Sequence, residues 1–358
     1  MNQIKLHRAL VPMSLLVASS AWAQSDANPP NGFVMKPETP VWRVGLDYQA
    51  GFNIKANFKD VGRYTAATAP GSTASGTDHY YDDGYNAVDS ANNNHFGTAA
   101  TWNWGYQNSS QYDSAGSGSI AMHSSSSQGT SSSSRDNDPV SGMELSFSRS
   151  LEQHEHWTLG IKAAFSYSYL DIKDARPLSS PNTRLTDTYD LGGATPPTAP
   201  YSGSYAGPGA LLSDSPTRSS QTVSEPVTGS RDLEAHIFGF HLGPYIEVPL
   251  TKSLSMMFDG GVALAVVSSE YSFNETIATP DAGTFTVKGS HTDSEALLGG
   301  YLGAGLAWSF ADRWALFGGA EWQSMESYRN DPKVNGAGKA VLDLQNAIFL
   351  KAGVTWSF

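Results

Sequence analysis

Apolar side chains alternate with polar or small ones along several stretches of the chain. In the first stretch, which begins at Val41, the even positions from Trp42 to Phe52 are apolar and the odd positions from Arg43 to Asn53 are polar or small. A period of two sends successive side chains to opposite faces of a β-strand. The pattern therefore predicts a strand with one apolar and one polar face.

The same alternation returns seven more times, and charge is nearly absent from every apolar face. Each stretch reaches the ~9–11 residues that a tilted membrane strand needs. A soluble sandwich or a lipocalin-like barrel also alternates, but neither requires an uncharged outer face. The apolar face of the last stretch begins at Leu342 and Leu344. The seven further strands are predicted at about 140–151, 157–170, 234–250, 254–270, 294–310, 314–325 and 341–358.

The connections between the predicted strands alternate in length. Tight joins at 152–156, 251–253 and 311–313 alternate with long ones at 60–139, 171–232, 271–293 and 326–340. Short periplasmic turns and long outer loops are typical of outer-membrane barrels. We therefore predict an all-β fold at 41–358, a transmembrane eight-stranded antiparallel up-and-down β-barrel with long extracellular loops at 60–139 and 171–232.

Aromatic residues collect at the predicted strand ends, as the aromatic girdles of membrane barrels require. A second, smaller group, which includes Tyr167 and Trp322, falls near the opposite interface. The residues predicted to form the girdle at the periplasmic interface are Trp42, Trp157, Trp308, Phe310, Trp314, Trp356 and Phe358.

The first 23 residues have the pattern of a secretory signal. Lys5 and Arg8 precede an apolar run at 9–20, and Ala21-Trp22-Ala23 fits a cleavage site after Ala23. The run is too short for the ~20 residues of a membrane helix. We expect a signal peptide at 1–23 and a periplasmic tail at 24–40.

Composition narrows the function classes further. Removal of the signal leaves 20 basic residues against 34 acidic ones, and the basic residues are not clustered, so no nucleic-acid partner is expected. The chain has no cysteine, which excludes disulfides and thiolate chemistry.

The last nine residues, Leu350 to Phe358, alternate apolar side chains and end in phenylalanine. This segment resembles the last strand of bacterial outer-membrane β-barrel proteins, and the strand count and loop asymmetry resemble the eight-stranded OmpA/OmpX-like group. The resemblance covers the strands only. It implies a place in the outer membrane of a Gram-negative-type bacterium, contact with outer-membrane lipid, and recognition of Phe358 by the barrel assembly machinery.

An eight-stranded barrel has an interior just wide enough for side chains to fill. Matching heights on neighbouring strands predict two ion pairs, Glu321 with Lys351 and Glu144 with Lys162. We expect a hydrated, salt-bridged plug, and the alternative is a narrow cation-preferring path. Glu295 is also expected to face inward. The predicted lumen network consists of Arg43, Asp47, Glu144, Lys162, Glu247, Asp259, Glu321 and Lys351.

The first long loop contains an aromatic and acidic segment, followed by a Ser-rich tract at 107–138 that we expect to be mobile. Trp102, Trp104 and Tyr106 alternate, so a strand would place them on one face. With Tyr81 and Tyr85 they form candidate binding residues for a sugar or a surface partner. The alternative is a structural hairpin or flap over the barrel mouth. The nearby aspartates, Asp78, Asp82, Asp83 and Asp89, do not have the spacing of a calcium loop.

The chain offers no clear catalytic set. His236, His241 and His291 accompany many serines, but no nucleophile elbow and no ordered Ser/His/acid set is present. We predict no catalytic residue, no metal site and no cofactor. The expected role is non-enzymatic: surface binding, adhesion or envelope structure through the outer loops. The alternative is a narrow porin-like channel for small solutes or cations, and a lipid-modifying enzyme comes third.

Overall fold

The computed structural model describes residues 41–358 except 66–69, 89–98, 133–134, 137, 205, 208 and 280–282. The predicted signal peptide at 1–23 and tail at 24–40 lie outside the described residues. In the described part, no helix is both long enough and apolar enough to cross a membrane. Its one short 3-10 helix is Ser109–Gln111.

The described residues form twenty strands. They are β1 Trp42–Phe52, β2 Lys55–Lys59, β3 His79–Tyr80, β4 Gly84–Asn86, β5 Ala100–Thr101, β6 Trp104–Tyr106, β7 Ser119–Ser127, β8 Arg135–Asp136, β9 Val140–Gln153, β10 Thr158–Asp174, β11 Leu178–Asp190, β12 Tyr201–Ser202, β13 Leu212–Ser213, β14 Thr217–Pro249, β15 Leu254–Thr279, β16 Gly283–Ala311, β17 Trp314–Met325, β18 Tyr328–Asn330, β19 Lys339–Asp343 and β20 Ala347–Ser357.

Eight long strands pair side by side in a closed antiparallel ring, in the order β1, β9, β10, β14, β15, β16, β17, β20. The pairing of β1 with β20 joins the two ends of the chain, and β10 pairs with β14 over the length of β10. These are the eight strands that the alternation predicts, and neighbours along this series are neighbours in the ring. The three tight joins are present as the turns after β9, β14 and β16.

The two faces of the ring differ as the alternation predicts. In β15, for example, Phe258, Val262 and Leu264 are exposed on the outside, whereas Asp259 and Ala263 are buried inside. The outward apolar side chains form a continuous belt, which we call the apolar band. It runs from the end lined by tryptophans to the level at which Tyr167 lies opposite Phe238.

The predicted periplasmic girdle lies at one end of the apolar band. Trp42 and Phe358 exchange backbone hydrogen bonds of 3.1 and 2.9 Å, and Trp314 lies opposite Trp356. Six of the seven side chains are exposed, and Trp157 is partly buried. Exposed tryptophan and phenylalanine side chains at one level provide the amphipathic ring that a membrane interface favours.

On one side of the ring the strands continue far beyond the apolar band and form a tall wall. β14, β15 and β16 contain 33, 26 and 29 residues, and β15 stays paired with β16 as far as Thr279 and Gly283. The prediction of an outer loop at 271–293 is therefore wrong. Its outward positions, such as Thr284 and Thr286, are polar because they face solvent, so the apolar alternation that marks a membrane strand ends early.

The wall is widened by two strands from the predicted loops. β11 pairs with the upper part of β14, and β7 pairs with β11. The loop at 171–232 thus contains β11 and half of β14. Ser124–Ser127 of the Ser-rich tract lie within β7 and are mostly buried. Small serine side chains leave room for the chain that packs against this strand.

A four-stranded sheet, ordered β18, β19, β2 and β8, lies against the inner face of the wall. Its apolar side chains join those of the wall in one core, in which Phe58 stacks on Tyr271 with ring centroids 5.7 Å apart. The predicted last strand at 341–358 is divided into β19 and β20. Leu342 and Leu344 belong to the core, so their expected place on the apolar outer face is wrong.

Two buried ionisable side chains, those of Glu275 and Arg231, interrupt this core. The Glu275 side chain is fully buried, neither of its oxygens has a hydrogen-bond partner, and Arg231 Nη1 lies 3.7 Å from Oε1. The Asp174 side chain lies nearby and binds Arg176 with contacts of 2.8 and 2.9 Å. Burial raises the pKa of Glu275 to about 7 from its ordinary 4.5, more than Arg231 lowers it, and Asp174 adds to the rise. Glu275 lies nine residues along β15 from Val266, beyond the apolar band.

This pKa predicts that the fold loses stability as pH rises. The folded state holds the Glu275 proton more tightly than the unfolded state does. The contribution of Glu275 to the free energy of unfolding therefore falls by on the order of 3 kcal/mol as pH rises from 4.5 to 7. We expect Glu275→Gln to remove this part of the pH dependence in urea unfolding at pH 5 and pH 8. Glu270→Gln, an exposed position on the same strand, is the control. Equal pH slopes for wild type and Glu275→Gln would contradict the assignment.

Candidate functional site

Charged side chains from opposite sides of the ring meet in the lumen at the level of the apolar band. Lys351 Nζ lies 2.5 Å from Glu144 Oε2 and 2.6 Å from Glu321 Oε2. Lys162 Nζ lies 3.0 Å from Asp259 Oδ2 and 3.7 Å from Glu144 Oε1. These five residues occupy inward positions on β9, β10, β15, β17 and β20, and all five are buried. The strand periodicity therefore places them in one network.

The remaining predicted lumen residues lie beside this network. Arg43 Nη2 forms a separate ion pair with Glu247 Oε2 at 2.9 Å. Asp47 lies opposite Glu144 in the pairing of β1 with β9, and its Oδ1 atom is buried without a hydrogen-bond partner. The structure thus brings together both predicted pairs, Glu321 with Lys351 and Glu144 with Lys162. Glu295 lies on the inward set of β16 but is exposed.

The sequence prediction of the network did not include two further side chains, those of His241 and Gln323. His241 Nδ1 lies 3.5 Å from Glu144 Oε2 and 3.8 Å from Glu321 Oε1. Gln323 Nε2 lies 3.1 Å from His241 Nε2 and donates to Glu321 Oε1 at 2.7 Å. Both residues stand at inward positions of predicted strands, so the alternation was the signal that could have placed them here.

Two small cavities flank the network. One on its upper side is lined by Gln49, Ser166 and Ser168, and one below it is lined by Arg43, Ser146 and Thr355. Each measures about 20 Å³, which is room for a single water. Between them the buried ion pairs of the network cross the lumen, in the manner of the predicted plug.

The network predicts a large penalty for removing Lys351. The change Lys351→Met leaves Glu144 and Glu321 buried without their shared partner, and breaking a buried ion pair on one side costs about 3–5 kcal/mol. We expect this loss in urea unfolding of the purified protein in detergent containing EDTA. Arg43→Met, in the more exposed pair, should cost less. A Lys351→Met loss no larger than that of Arg43→Met would show that water already screens the network.

The aromatic segment of the first loop forms a second cluster at the top of the wall, which we call the apex. Tyr81, Trp104 and Tyr106 are buried there together with Ile120 and Met122 of β7. Trp104 is fully buried, and its Nε1 donates to the Ala210 carbonyl at 2.8 Å. Three of the five candidate loop residues are therefore core residues of the apex.

The predicted common face holds for Trp104 and Tyr106, whose rings stack with centroids 5.9 Å apart, but it is wrong for Trp102. β6 begins at Trp104, so Trp102 lies outside the strand, and β6 has a neighbour on each side, β12 and β4. All three residues of β6 are buried because the apex covers both of its faces.

A buried polar group ties the apex to the wall. Tyr81 donates to Asp187 Oδ2 at 2.6 Å, and Arg218 binds both oxygens of Asp187 at 2.7 Å. The Tyr189 hydroxyl lies 2.6 Å from that of Tyr81. Burial, together with the hydrogen bond to Asp187, raises the pKa of Tyr81, so its phenol stays protonated as a donor.

Tyr85 and Trp102 remain partly exposed at the apex surface. The Tyr85 hydroxyl lies 2.7 Å from Ser202 Oγ, and its ring covers Gly105 closely enough that a side chain there would clash. Trp102 packs against Gly207, whose φ of +67° favours glycine. Tyr80, which the sequence analysis did not single out, is also exposed. These side chains are held by neighbouring backbone and keep accessible ring surface.

The aspartates of this segment accept hydrogen bonds from backbone N–H groups. Asp83 accepts hydrogen bonds from His123 N at 2.7 Å and His123 Nδ1 at 2.6 Å, and Asp82 accepts one from Ser125 N at 2.7 Å. Asp78 accepts one from Val88 N at 2.7 Å. Asp82 and Asp83 thus occupy the free edge of β7 as a neighbouring strand would. Asp89 lies outside the described residues.

The three histidines considered for catalysis lie apart. His236 is on the outside and bonds the Tyr167 hydroxyl, His241 is in the lumen, and His291 contacts Asn330 inside the wall. Among the described residues, the side-chain hydrogen bonds of these histidines go to a tyrosine, a glutamine and an asparagine.

Comparison with protein-family models gives no match, and comparison with curated protein sequences gives none either. Among solved structures, the chain is similar to Ail, the attachment invasion locus protein of Yersinia pestis, with 7% identity and a TM-score of 0.26 over 88% of this chain and 98% of that one. It is also similar to the outer membrane protease OmpT from Escherichia coli, with 9% identity and a TM-score of 0.30 over 89% of this chain and 98% of that one. A Pseudomonas aeruginosa FadL homologue is similar with 10% identity and a TM-score of 0.18 over 90% of this chain and 91% of that one. TM-scores this low carry no argument about the chain, whose fold rests on its own strand pairing.

Proposed function

We propose that the chain is an exported outer-membrane protein whose eight-stranded transmembrane barrel holds a rigid binding surface outside the cell. The observation that carries this proposal is the one-sided wall, which extends well beyond the apolar band and ends in a packed aromatic apex. A barrel that served only to fill the membrane would need neither.

The membrane position is supported by the chemistry of the ring. Its outer face exposes large apolar side chains, among them Leu298 and Leu302 at 64% and 63%. In water such a belt would be a large aggregation surface. In lipid its side chains contact hydrocarbon instead of water. The closed pairing leaves no strand edge unpaired in the band, which is what hydrocarbon requires of a spanning sheet. The signal peptide cleaved after Ala23 and recognition of Phe358 by the assembly machinery belong to the same proposal.

This proposal predicts the behaviour of the mature protein in membranes. We expect it in the outer-membrane fraction, soluble only with detergent. On gels, a closed barrel should migrate as a compact species until the sample is boiled, because its hydrogen-bonded ring resists the detergent. A protein recovered from the periplasm without detergent, with a single band before and after boiling, would contradict the membrane assignment.

A binding role is favoured over a channel by the filled lumen. Lys351 and its two glutamates cross the ring, and the sheet ordered β18, β19, β2 and β8 packs inside the wall above them. The apex, in contrast, exposes ring surface from Tyr80, Tyr85 and Trp102. Rigid aromatic side chains beside amide and hydroxyl groups suit the stacking of sugar rings or the docking of a protein surface.

The apex surface can be tested with paired tryptophan variants. We expect Trp102→Ala to weaken binding to a printed oligosaccharide array at least 10-fold while the apex stays folded, because Trp102 is partly exposed. Trp104→Ala removes a fully buried side chain, which costs about 3–5 kcal/mol, and should instead open the apex.

Hydrogen exchange of β6 and β7 separates the two effects. Faster exchange in Trp104→Ala and unchanged exchange in Trp102→Ala are expected. Trp157→Ala, at the opposite end of the barrel, is the control that should leave both binding and apex exchange unchanged. Binding that survives Trp102→Ala and Tyr85→Ala together would remove the apex from the proposed function.

A further inference from the structure

The lumen network contains more negative charge than its cations neutralise. Among the described lumen residues at this level, four carboxylates, those of Asp47, Glu144, Asp259 and Glu321, face two ammonium groups, those of Lys162 and Lys351. Arg43 and Glu247 balance each other. With each group in its usual ionised form, two negative charges remain unmatched in a site withdrawn from water. Buried charge of this kind requires a partner.

One corner of the network has the geometry of a metal site. Ligand atoms of Glu144, His241 and Glu321 all lie within 4.8 Å of one another. His241 Nδ1 is 3.5 Å from Glu144 Oε2 and 3.8 Å from Glu321 Oε1. Ligand atoms bound to one tetrahedral zinc ion at 2.0–2.2 Å are about 3.4 Å apart. The three side chains therefore need only small shifts to surround an ion.

One atom in this corner is buried without a hydrogen-bond partner. It is His241 Nδ1, on a residue that is 3% exposed. Glu144 Oε1 also has no hydrogen bond, but it faces Lys162 Nζ at 3.7 Å. Buried polar atoms in native proteins are almost always paired. An imidazole nitrogen that faces two carboxylates without a hydrogen bond points to a cation between them.

We propose that Glu144, His241 and Glu321 bind one divalent transition-metal ion of the zinc class. One nitrogen with two carboxylate oxygens suits zinc, whereas calcium and magnesium prefer oxygen ligands alone. The two charges of the ion match the surplus in the network. The three ligands stand on β9, β14 and β17, which are not neighbours in the ring, so the ion ties the wall of the barrel together across the lumen.

Gln323 has a supporting place in this site. Its amide lies 3.1 Å from His241 Nε2. When Nδ1 holds the ion, Nε2 carries the proton, and a metal-bound histidine ordinarily donates that proton to an oxygen. The Gln323 amide must then turn its oxygen to His241 and give up its hydrogen bond to Glu321 Oε1, whose carboxylate turns to the ion. Lys351 is the competitor, because its ammonium group lies against the same two glutamates.

Metal binding to the folded, detergent-solubilised protein tests the proposal. After removal of metals with EDTA, titration with ZnCl2 should show one ion per chain that survives gel filtration. Cobalt in place of zinc should give visible absorption bands from the mixed nitrogen and oxygen ligands. His241→Gln should weaken zinc binding at least 100-fold, whereas His236→Ala, on the outside of the same strand, should leave it unchanged.

The variant Lys351→Met tests whether a zinc ion, rather than protons bound to the carboxylates, neutralises the surplus negative charge of the network. With the competing ammonium group removed, zinc should bind at least 10-fold more tightly and should restore the stability lost in EDTA. A compact band on unboiled gels shows that each variant is folded. Folded wild-type protein that holds no stoichiometric zinc, or His241→Gln protein that holds as much as wild type, would overturn the proposal. So would Lys351→Met protein indifferent to zinc.

Discussion

Closure of the ring is the constraint on which the rest of the structure depends. β10 pairs with both β9 and β14, so no strand of the apolar band has a free edge. Once every backbone group is committed to a neighbour, side-chain direction is fixed by position along the strand. A shift of one residue in any strand would carry its charges to the apolar face and its leucines into the lumen. The belt outside and the ion network inside are therefore two results of one register.

Above the apolar band the same strands meet different surroundings. The outer face contacts water, and the inner face contacts the sheet formed by β18, β19, β2 and β8. The wall accordingly exchanges outward leucine for threonine and serine, and inward charge for an apolar core around Tyr271 and Phe273. Single strands thus pass from the apolar band to the wall above it without a break in pairing. This continuity connects the lumen network to the apex through rigid hydrogen-bonded structure.

The different surroundings of the strands in and above the apolar band explain which strands could be predicted from the sequence. The ring strands were predicted from alternation because their outer face is apolar and their inner face is polar. The part of β15 in the apolar band therefore showed the pattern, whereas its continuation to Thr279 did not. β7 escaped prediction because its serines show no polarity contrast, and only its pairing with β11 makes it a strand. The contacts of Glu144 with Lys162 and of Glu321 with Lys351 could be foreseen from height, but the place of His241 between the two glutamates depends on curvature that one strand does not reveal.

The carboxylates along β7 have a consequence for contacts between copies of the chain. β7 is the last strand of the wall, and uncovered sheet margins invite other chains to add strands and grow aggregates. Asp82 and Asp83 already accept the amide protons of His123 and Ser125. A neighbouring copy would have to displace two anionic acceptors before it could pair along this margin. The sheet is thereby terminated by its own loop, which blocks strand addition from a second copy at this margin.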